Sequence, residues 1–188
     1  MDALVFIGIL FLGLIPGLYM LAQYNSLIAL RNCTRESWSD IDTELKRRYD
    51  LIPRLVDVAR GYAAHEREVF EHVVELRERC AANHGPVSSQ AGDEAELVSS
   101  LQTMLARVEA YPELKADAQF QGLRHELVNT EDRIQAARRF YNGNVRDYRN
   151  KCEGFPSSII AQMFGFRPMS FFEVESAVRE APDLTGKL

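Results

Sequence analysis

An apolar segment close to the N-terminus restricts the folds that are open to this chain. Residues 3–22 read ALVFIGILFLGLIPGLYMLA and contain no charged side chain. At 1.5 Å per residue, a helix of about twenty residues covers about 30 Å, which is the thickness of the hydrocarbon core of a bilayer. The segment therefore predicts a single transmembrane helix, with residues 1–23 as a membrane anchor.

A signal peptide, a lipoprotein anchor and a buried core helix each fit this segment less well. A cleaved signal peptide needs a positive start and small residues before the cut, but Asp2 is the only early charge and Leu21 to Tyr24 form no A-x-A site. A lipoprotein anchor needs a nearby cysteine, and Cys33 lies well downstream. A buried core helix is usually shorter.

Small residues let neighbouring helices approach closely, so we expect packing between anchors at Gly8, Gly13 and Gly17.

The basic residues predict the orientation of the anchor. No Lys or Arg precedes the apolar segment, whereas Arg31 and Arg35 follow it. Because positive flanks tend to stay in the cytoplasm, we expect the N-terminus outside the cell and the body of the protein in the cytoplasm.

The three cysteines, at positions 33, 80 and 152, contain no C-x-x-C pair. They favour a reduced compartment and indicate neither a disulfide framework nor a zinc site.

The composition of the whole chain is that of a globular protein. The 188 residues are 46% hydrophobic and 26% charged, with a formal net charge of −5. Such a charge offers no broad basic field for a phosphate backbone, so no nucleic-acid partner is expected.

Apolar residues recur at spacings of three and four, which predicts helices nearly throughout. The predicted helices cover residues 24–60, 65–82, 93–111 and 116–151. Pro53 predicts a kink or a fresh start in the first, Asp93 would cap the third, and residues 83–89 read as a loop. Short connections favour antiparallel neighbours, so the predicted fold is all-α, an up-and-down four-helix bundle over residues 24–154 on an N-terminal single-pass transmembrane helix.

Several stretches resemble the LemA family. They are Tyr24-Asn25, Trp38 to Asp42, Leu45 to Pro53, Gly61 to Ala63 with His65-Glu66, Leu114 to Asp117 with Phe120, Glu126-Leu127, Thr130 to Ile134, Ala137 to Arg139 with Tyr141-Asn142, Phe155 to Ser157, Gly165-Phe166 and Phe172-Glu173. The resemblance implies an N-terminal membrane helix, a short exoplasmic N-terminus, a cytoplasmic four-helix bundle and no established enzymatic activity. Two positions depart from it, since Arg54 and Asp117 stand where the family tends to carry Asn.

Metal and catalytic motifs are absent from the sequence. His65 and His72 lie one heptad apart, but H-E-x-x-H is missing, and Val69 and Gly122 occupy the positions that Glu-x-x-His would need before His72 and His125. The sequence also lacks a nucleophile elbow and a Gly-rich phosphate loop. We therefore predict no catalytic residue, cofactor, metal or small-molecule substrate.

Two charged clusters are open to two interpretations each. Lys46 to Arg48 could bind anionic lipid, but we interpret them as a solvated helix face. Glu131 to Arg133, with Arg138 and Arg139, could form a buried polar cluster, although charge pairs on the outer face are the favoured interpretation. Trp38 is expected to be largely buried against Tyr148 or Val145.

An apolar and aromatic segment follows the last long helix, within residues 155–188, which we expect to form a short helix and a tail. In an up-and-down bundle, the last long helix ends near the bilayer surface, so the segment that follows it starts there. Exposed apolar patches are rare on monomers, so the segment must be covered by the bundle, by the lipid interface or by a neighbouring copy. The predicted oligomer or membrane interface consists of Phe155, Ile159, Ile160, Met163, Phe164, Phe166, Phe171 and Phe172.

Together these patterns predict a membrane-anchored, non-enzymatic helical scaffold that assembles with copies of itself at the bacterial inner membrane. Its expected partners are the lipid bilayer and further copies of the chain. The alternative is an adaptor or regulator of another membrane protein, such as a membrane protease. An enzyme with a metal in the bundle ranks third.

Overall fold

A computed structural model describes the backbone of residues 2–173 and the side chains of residues 14–173. Within this range all regular structure is helical and no strand occurs, which confirms the all-α class. The helices are α1 Asp2–Tyr62, α2 Arg67–Ala82, α3 Val87–Val108, α4 Pro112–Ala116, α5 Ala118–Glu153 and α6 Ser157–Met163, with a 3-10 turn at Ala64–Glu66.

Helix α1 continues through Thr34, a residue type that often caps helices, and through Pro53. The hydroxyl of Thr34 donates to the carbonyl oxygen of Leu30 at 2.9 Å, so this side chain bonds back onto its own helix and caps nothing. Pro53 lies inside the 61-residue helix, and Asp50 does not start a new one. Of the two alternatives predicted at Pro53, a kink and a fresh start, the continuous helix excludes the fresh start.

The start of α3 also differs from the prediction. The helix begins at Val87, and the carbonyl oxygen of Pro86 accepts from the backbone N–H groups of Ser89 and Gln90. Asp93 is therefore an interior residue, and its carboxylate accepts from the side-chain amide of Asn83 at 2.6 Å. Residues 87–89 (Val-Ser-Ser), which the sequence pattern assigns to the loop at 83–89, form the first turn of α3. Helix α4, with five residues, is too short to show a periodicity.

The described residues divide into two compact units. Unit 1 comprises residues 2–44 and 133–170, and unit 2 comprises residues 45–132 and 171–173. Both α1 and α5 contribute to each unit.

Unit 2 is an antiparallel helical bundle. One end is marked by hydrogen bonds from Tyr62 to Asp117 and from Tyr111 to Glu66, and the other by bonds from Arg48 to Glu131 and from Arg77 to the backbone oxygen of Tyr49. The chain thus alternates in direction through α1, α2, α3 and α5. Each of these helices contributes to the buried core, for example with Ile52, Phe70, Leu97 and Phe120.

Unit 1 pairs the first part of α1 with the last part of α5. Trp38 contacts Tyr141 across this pair, with ring centroids 5.4 Å apart. Trp38 is half-buried rather than largely buried as predicted, and its ring contact is with Tyr141, about one turn before Val145. The predicted pairing of the first and last long helices is confirmed. Near Leu27 and Tyr148, helix α6 covers the seam that two helices would leave open.

The predicted anchor begins before the residues that are fully described. Within the fully described range, no helix is both long enough and apolar enough to cross a bilayer. Of the predicted span at residues 3–22, only residues 14–22 have described side chains. The span and the 1–23, 24–154 and 155–188 boundaries therefore stay predictions.

Candidate functional site

The chain reverses direction between α5 and α6 through a compact connection. A Cβ atom at Gly154 would lie 2.7 Å from the carbonyl oxygen of Asn150, so only glycine fits at this position without a shift. The hydroxyl of Ser157 contacts the carbonyl oxygens of Lys151 at 2.7 Å and Gly154 at 2.9 Å. Because these contacts satisfy carbonyl groups at the end of α5, α6 is held against the helix that precedes it.

One side of α6 belongs to the core of unit 1. Ile160 and Ala161 are buried together with Phe166, which follows the helix. They pack in one cluster with Leu27 of α1 and with Tyr148 and Cys152 of α5. Gly165, at a φ of 70°, lies in the left-handed region that favours glycine and turns the chain towards Phe166.

The other side of α6 is apolar and exposed. Phe155, Ile159 and Met163 are spaced by four residues, and Phe164 follows directly. Their exposed fractions are 84%, 54%, 60% and 49%. We call these four residues the α6 surface.

The predicted interface is thus divided by the structure. Four of its eight members form the α6 surface, whereas Ile160 and Phe166 are buried by unit 1 itself. In unit 2, Phe172 is buried and Phe171 is half-buried. Covering by the chain itself, one of the three possibilities considered from the sequence, accounts for the buried members.

An aromatic cluster connects the α6 surface with α1. The ring of Tyr24 lies 4.8 Å from the ring of Phe164 and 5.7 Å from that of Phe166, centroid to centroid. The guanidinium of Arg31 lies 5.2 Å from the centroid of the Phe166 ring, in cation–π geometry. Tyr24 is the second residue after the apolar segment 3–22. The α6 surface is therefore held beside the end of that segment.

The described end of α1 is exposed on all sides. Every residue from 14 to 22 is exposed, including Ile15 at 62% and Leu21 at 60%. A Cβ atom at Gly17 would have no atom within 4 Å apart from its chain neighbours and the adjacent backbone of its own helix. Gly8 and Gly13, the other predicted packing positions, lie outside the residues whose side chains are described.

Unit 2 contains a buried charge cluster that sequence reasoning missed. Arg48 is only 1% exposed, so its interpretation as part of a solvated face is wrong, whereas Lys46 and Arg47 are exposed. Its guanidinium pairs with the carboxylates of Glu94 and Glu131, the latter at 2.8 Å. The hydroxyl of Tyr49 also donates to Glu94. Opposite charges in contact offset the cost of burying each of them.

A signal for this cluster exists in the sequence. Arg48 is three residues after Leu45 and four before Ile52, and Glu94 is three residues before Leu97. Both charges therefore occupy helix positions that otherwise carry buried apolar residues. The second charged cluster, Glu131 to Arg133 with Arg138 and Arg139, is divided. Glu131 is part of the buried cluster through its ion pair with Arg48, whereas Asp132, Arg133 and Arg139 are exposed.

The histidines considered as metal ligands are dispersed. His65, His72 and His125 are all exposed, and the fully described residues contain no group of three or more His, Cys, Asp or Glu side chains that could hold a metal. The cysteines at positions 33, 80 and 152 are free. Burial raises the pKa of Cys80 to about 11, which makes it a poor nucleophile at neutral pH.

The fold and the site together define an all-helical protein with an apolar helix end on α1 and an apolar surface on α6. Residues 37–185 match the sequence pattern of the LemA family, so the chain belongs to the LemA family.

Similar proteins include two with magnetosome names. Magnetosome protein MamQ 2 of Paramagnetospirillum magneticum (strain AMB-1) is 24% identical over 90% of this chain and 71% of its own length. Magnetosome protein MamQ of Magnetospirillum gryphiswaldense (strain MSR-1) is 22% identical over the same shares. Protein LemA of Metamycoplasma hominis is 24% identical over 93% of this chain and 81% of its own length. None of these names denotes an enzyme.

Proposed function

We propose that this protein is a membrane-anchored, non-enzymatic helical scaffold that assembles with copies of itself at the bacterial inner membrane. The observation that carries the proposal is the exposure of residues 14–22 around the whole of α1. A helix that is apolar on every side needs a nonaqueous environment, and the sequence extends this segment to residue 3. The lipid bilayer supplies that environment for the length involved.

The orientation follows from the same part of the chain. Arg31 and Arg35 follow the apolar segment, and no basic residue precedes it. The anchor therefore crosses the membrane once, with the N-terminus outside and both units in the cytoplasm. Two relatives are named as magnetosome proteins, which supports a role at a defined cellular structure rather than in free solution.

Self-assembly rests on the anchor. Gly8, Gly13 and Gly17 recur at intervals of five and four residues, and Gly17 has open space beside it. In lipid, association of helices depends on close packing, which small residues permit. Gly13 and Gly17, four residues apart, fall on one side of a helix, so neighbouring anchors can meet there, whereas Gly8, nine residues before Gly17, falls on the opposite side.

An adaptor for another membrane protein is the second candidate function, and one surface of unit 2 favours it. A groove between α3 and α5 is lined by apolar side chains, among them Val98, Leu105 and the exposed Val128, with Glu131 and Asp132 at its edge. A helix with apolar and basic residues on one face would complement this groove.

Native mass measurement of the full-length protein in lipid discs tests the proposal. A homo-oligomer supports the scaffold, whereas a stoichiometric second protein supports the adaptor. A strictly monomeric protein in both mild detergent and lipid discs would overturn self-assembly. Release of the protein from vesicles by alkaline carbonate would overturn the anchor.

A further inference from the structure

We propose that the α6 surface, formed by Phe155, Ile159, Met163 and Phe164, lies in the interfacial layer of the bilayer and acts as a second membrane contact. This inference rests on the proposed anchor at residues 3–22. Its occupant is lipid, at the boundary between headgroups and acyl chains.

The distance along α1 places the α6 surface at the depth of that layer. Tyr24 is two residues beyond Ala22, about 3 Å along a helix. The headgroup region adds about 5–7 Å to each side of the hydrocarbon core. Because the Phe164 ring is 4.8 Å from the Tyr24 ring, it lies beside this boundary when the anchor spans the core.

The chemistry of the neighbouring residues suits the same layer. Aromatic rings are enriched at membrane interfaces, and Tyr24, Phe164 and Phe166 form one aromatic cluster. Arg31 contacts this cluster from the side away from the apolar segment, and Arg167 is exposed directly after Phe166. Cations just outside the apolar layer attract the anionic headgroups of the cytoplasmic leaflet.

The size of the α6 surface distinguishes lipid from a second copy of the chain. A stable protein interface buries about 800 Å² on each partner and takes about 20–30 residues from each side. The α6 surface offers four side chains, and the adjacent apolar residues Ile160 and Phe166 are already buried within unit 1. Lipid has no such threshold, because each inserted side chain contributes its own apolar area.

Tryptophan fluorescence tests the depth of the surface in the full-length protein. The chain has one tryptophan, so Trp38→Phe removes the native signal and Phe164→Trp adds a reporter. The reporter protein is reconstituted into phosphatidylethanolamine and phosphatidylglycerol vesicles whose acyl chains are brominated near either the headgroup or the methyl end. We expect about a twofold loss of intensity with bromine near the headgroup and a smaller loss with deep bromine.

The matched control is Phe140→Trp in the same background. Phe140 is also an exposed aromatic residue of unit 1, at 59%, but it lies about 18 Å along α5 from Cys152 of the α6 cluster. We expect brominated lipid to leave its fluorescence unchanged. Circular dichroism of both variants should match the parent, since both substitutions are aromatic and at exposed positions.

The outcomes separate this inference from the proposed anchor. If the protein resists alkaline carbonate but Phe164→Trp is not quenched, the anchor stands and the α6 inference is overturned. If the Phe164→Trp reporter is not quenched and chemical cross-linking joins the α6 surface to another copy of the chain, the occupant of the surface is protein. That result also overturns the inference. If carbonate releases the protein from vesicles, the proposed function itself fails.

Discussion

The guanidinium Nη1 of Arg48 donates to Oε1 of Glu131 at 2.8 Å, although 83 residues separate them in the sequence. The pair joins α1 to α5 inside unit 2, and Glu94 brings α3 to the same guanidinium. Because Arg48 is 1% exposed, water cannot replace a missing partner. This cluster specifies how three helices meet.

Removing Arg48 is therefore expected to destabilise the protein strongly. Arg48→Ala leaves the carboxylate of Glu94 buried without its cation, a loss of about 3–5 kcal/mol. Arg47→Ala is the matched control, since Arg47 is the exposed neighbour, and it should change the free energy of unfolding by less than about 0.5 kcal/mol. Urea unfolding monitored by circular dichroism measures both. Equal effects of the two variants would contradict a structural role for the cluster.

A double variant separates the net contribution of the ion pair to the free energy of unfolding from the cost of removing only one of its charges. Arg48→Leu with Glu94→Leu leaves neither charge buried, and Glu131 keeps 27% of its side chain exposed to water. We expect this double variant to recover part of the stability lost in Arg48→Ala, because a buried ion pair is often replaceable by apolar residues. A loss equal to the sum of the single variants would show that apolar side chains do not replace this pair.

Asp117 is expected to make stability depend on pH in the acid range. The backbone N–H of Phe120 donates to its carboxylate at 2.8 Å and Tyr62 donates at 3.0 Å, and these bonds hold the pKa of Asp117 below its ordinary value of 3.8. The charged form therefore stabilises the folded state above pH 3.8, and this contribution is lost as the pH falls through the lowered pKa.

Two variants at this position isolate the effect. Asn is as good an N-cap as Asp, so Asp117→Asn should differ from the parent above pH 4 and converge with it at lower pH. Asp117→Ala removes the cap and should have the lower urea midpoint of the two variants at every pH. A constant difference between parent and Asp117→Asn over the whole range would refute the role of the charge.

Substitution of Gly17 is expected to reduce assembly without disturbing the protomer. A Cβ at this position has open space, so Gly17→Leu fits the single chain, but it would keep two anchors apart. Native mass spectra in lipid discs should shift to smaller species. The control is Leu18→Ile at an exposed neighbouring position, which keeps its volume. An unchanged oligomer in Gly17→Leu would exclude close anchor packing at this residue.

A single introduced cysteine is expected to report the orientation. Ser88 is exposed, so Ser88→Cys should react with a membrane-impermeant maleimide only after the cells are lysed. Cys33 is replaced by Ser because it is half-buried, whereas Cys80 and Cys152 are buried. At pH 8, a pKa of about 11 leaves about one Cys80 thiol in a thousand as thiolate. Labelling of this cysteine in intact cells would contradict the proposed topology, because it would place residue 88 outside the cell.

Local pattern was enough to predict the helices, because each apolar stripe depends only on residues three and four apart. Leu45, Ile52 and Val56 in α1 and Leu97, Leu101 and Met104 in α3 recur at spacings of three, four or seven residues, and all six are buried. The same logic failed at the start of α3, where Pro86 initiates a helix through backbone groups alone and leaves no periodic signal. It also failed for α4, which is shorter than two helical turns.

Residue pattern was sufficient to assign the all-α class, the LemA family and the apolar character of residues 3–22 and of the segment after α5. Which apolar residues remain exposed depends instead on packing between segments that are distant in the sequence. Ile159 and Ile160 are neighbours of the same residue type, yet their exposed fractions are 54% and 5%. Likewise Arg47 is exposed and Arg48 is buried. In each pair the residue type is the same, but successive side chains on a helix point in different directions. One side chain faces a neighbouring helix and the other faces away from it, so packing between distant segments sets the difference in exposure.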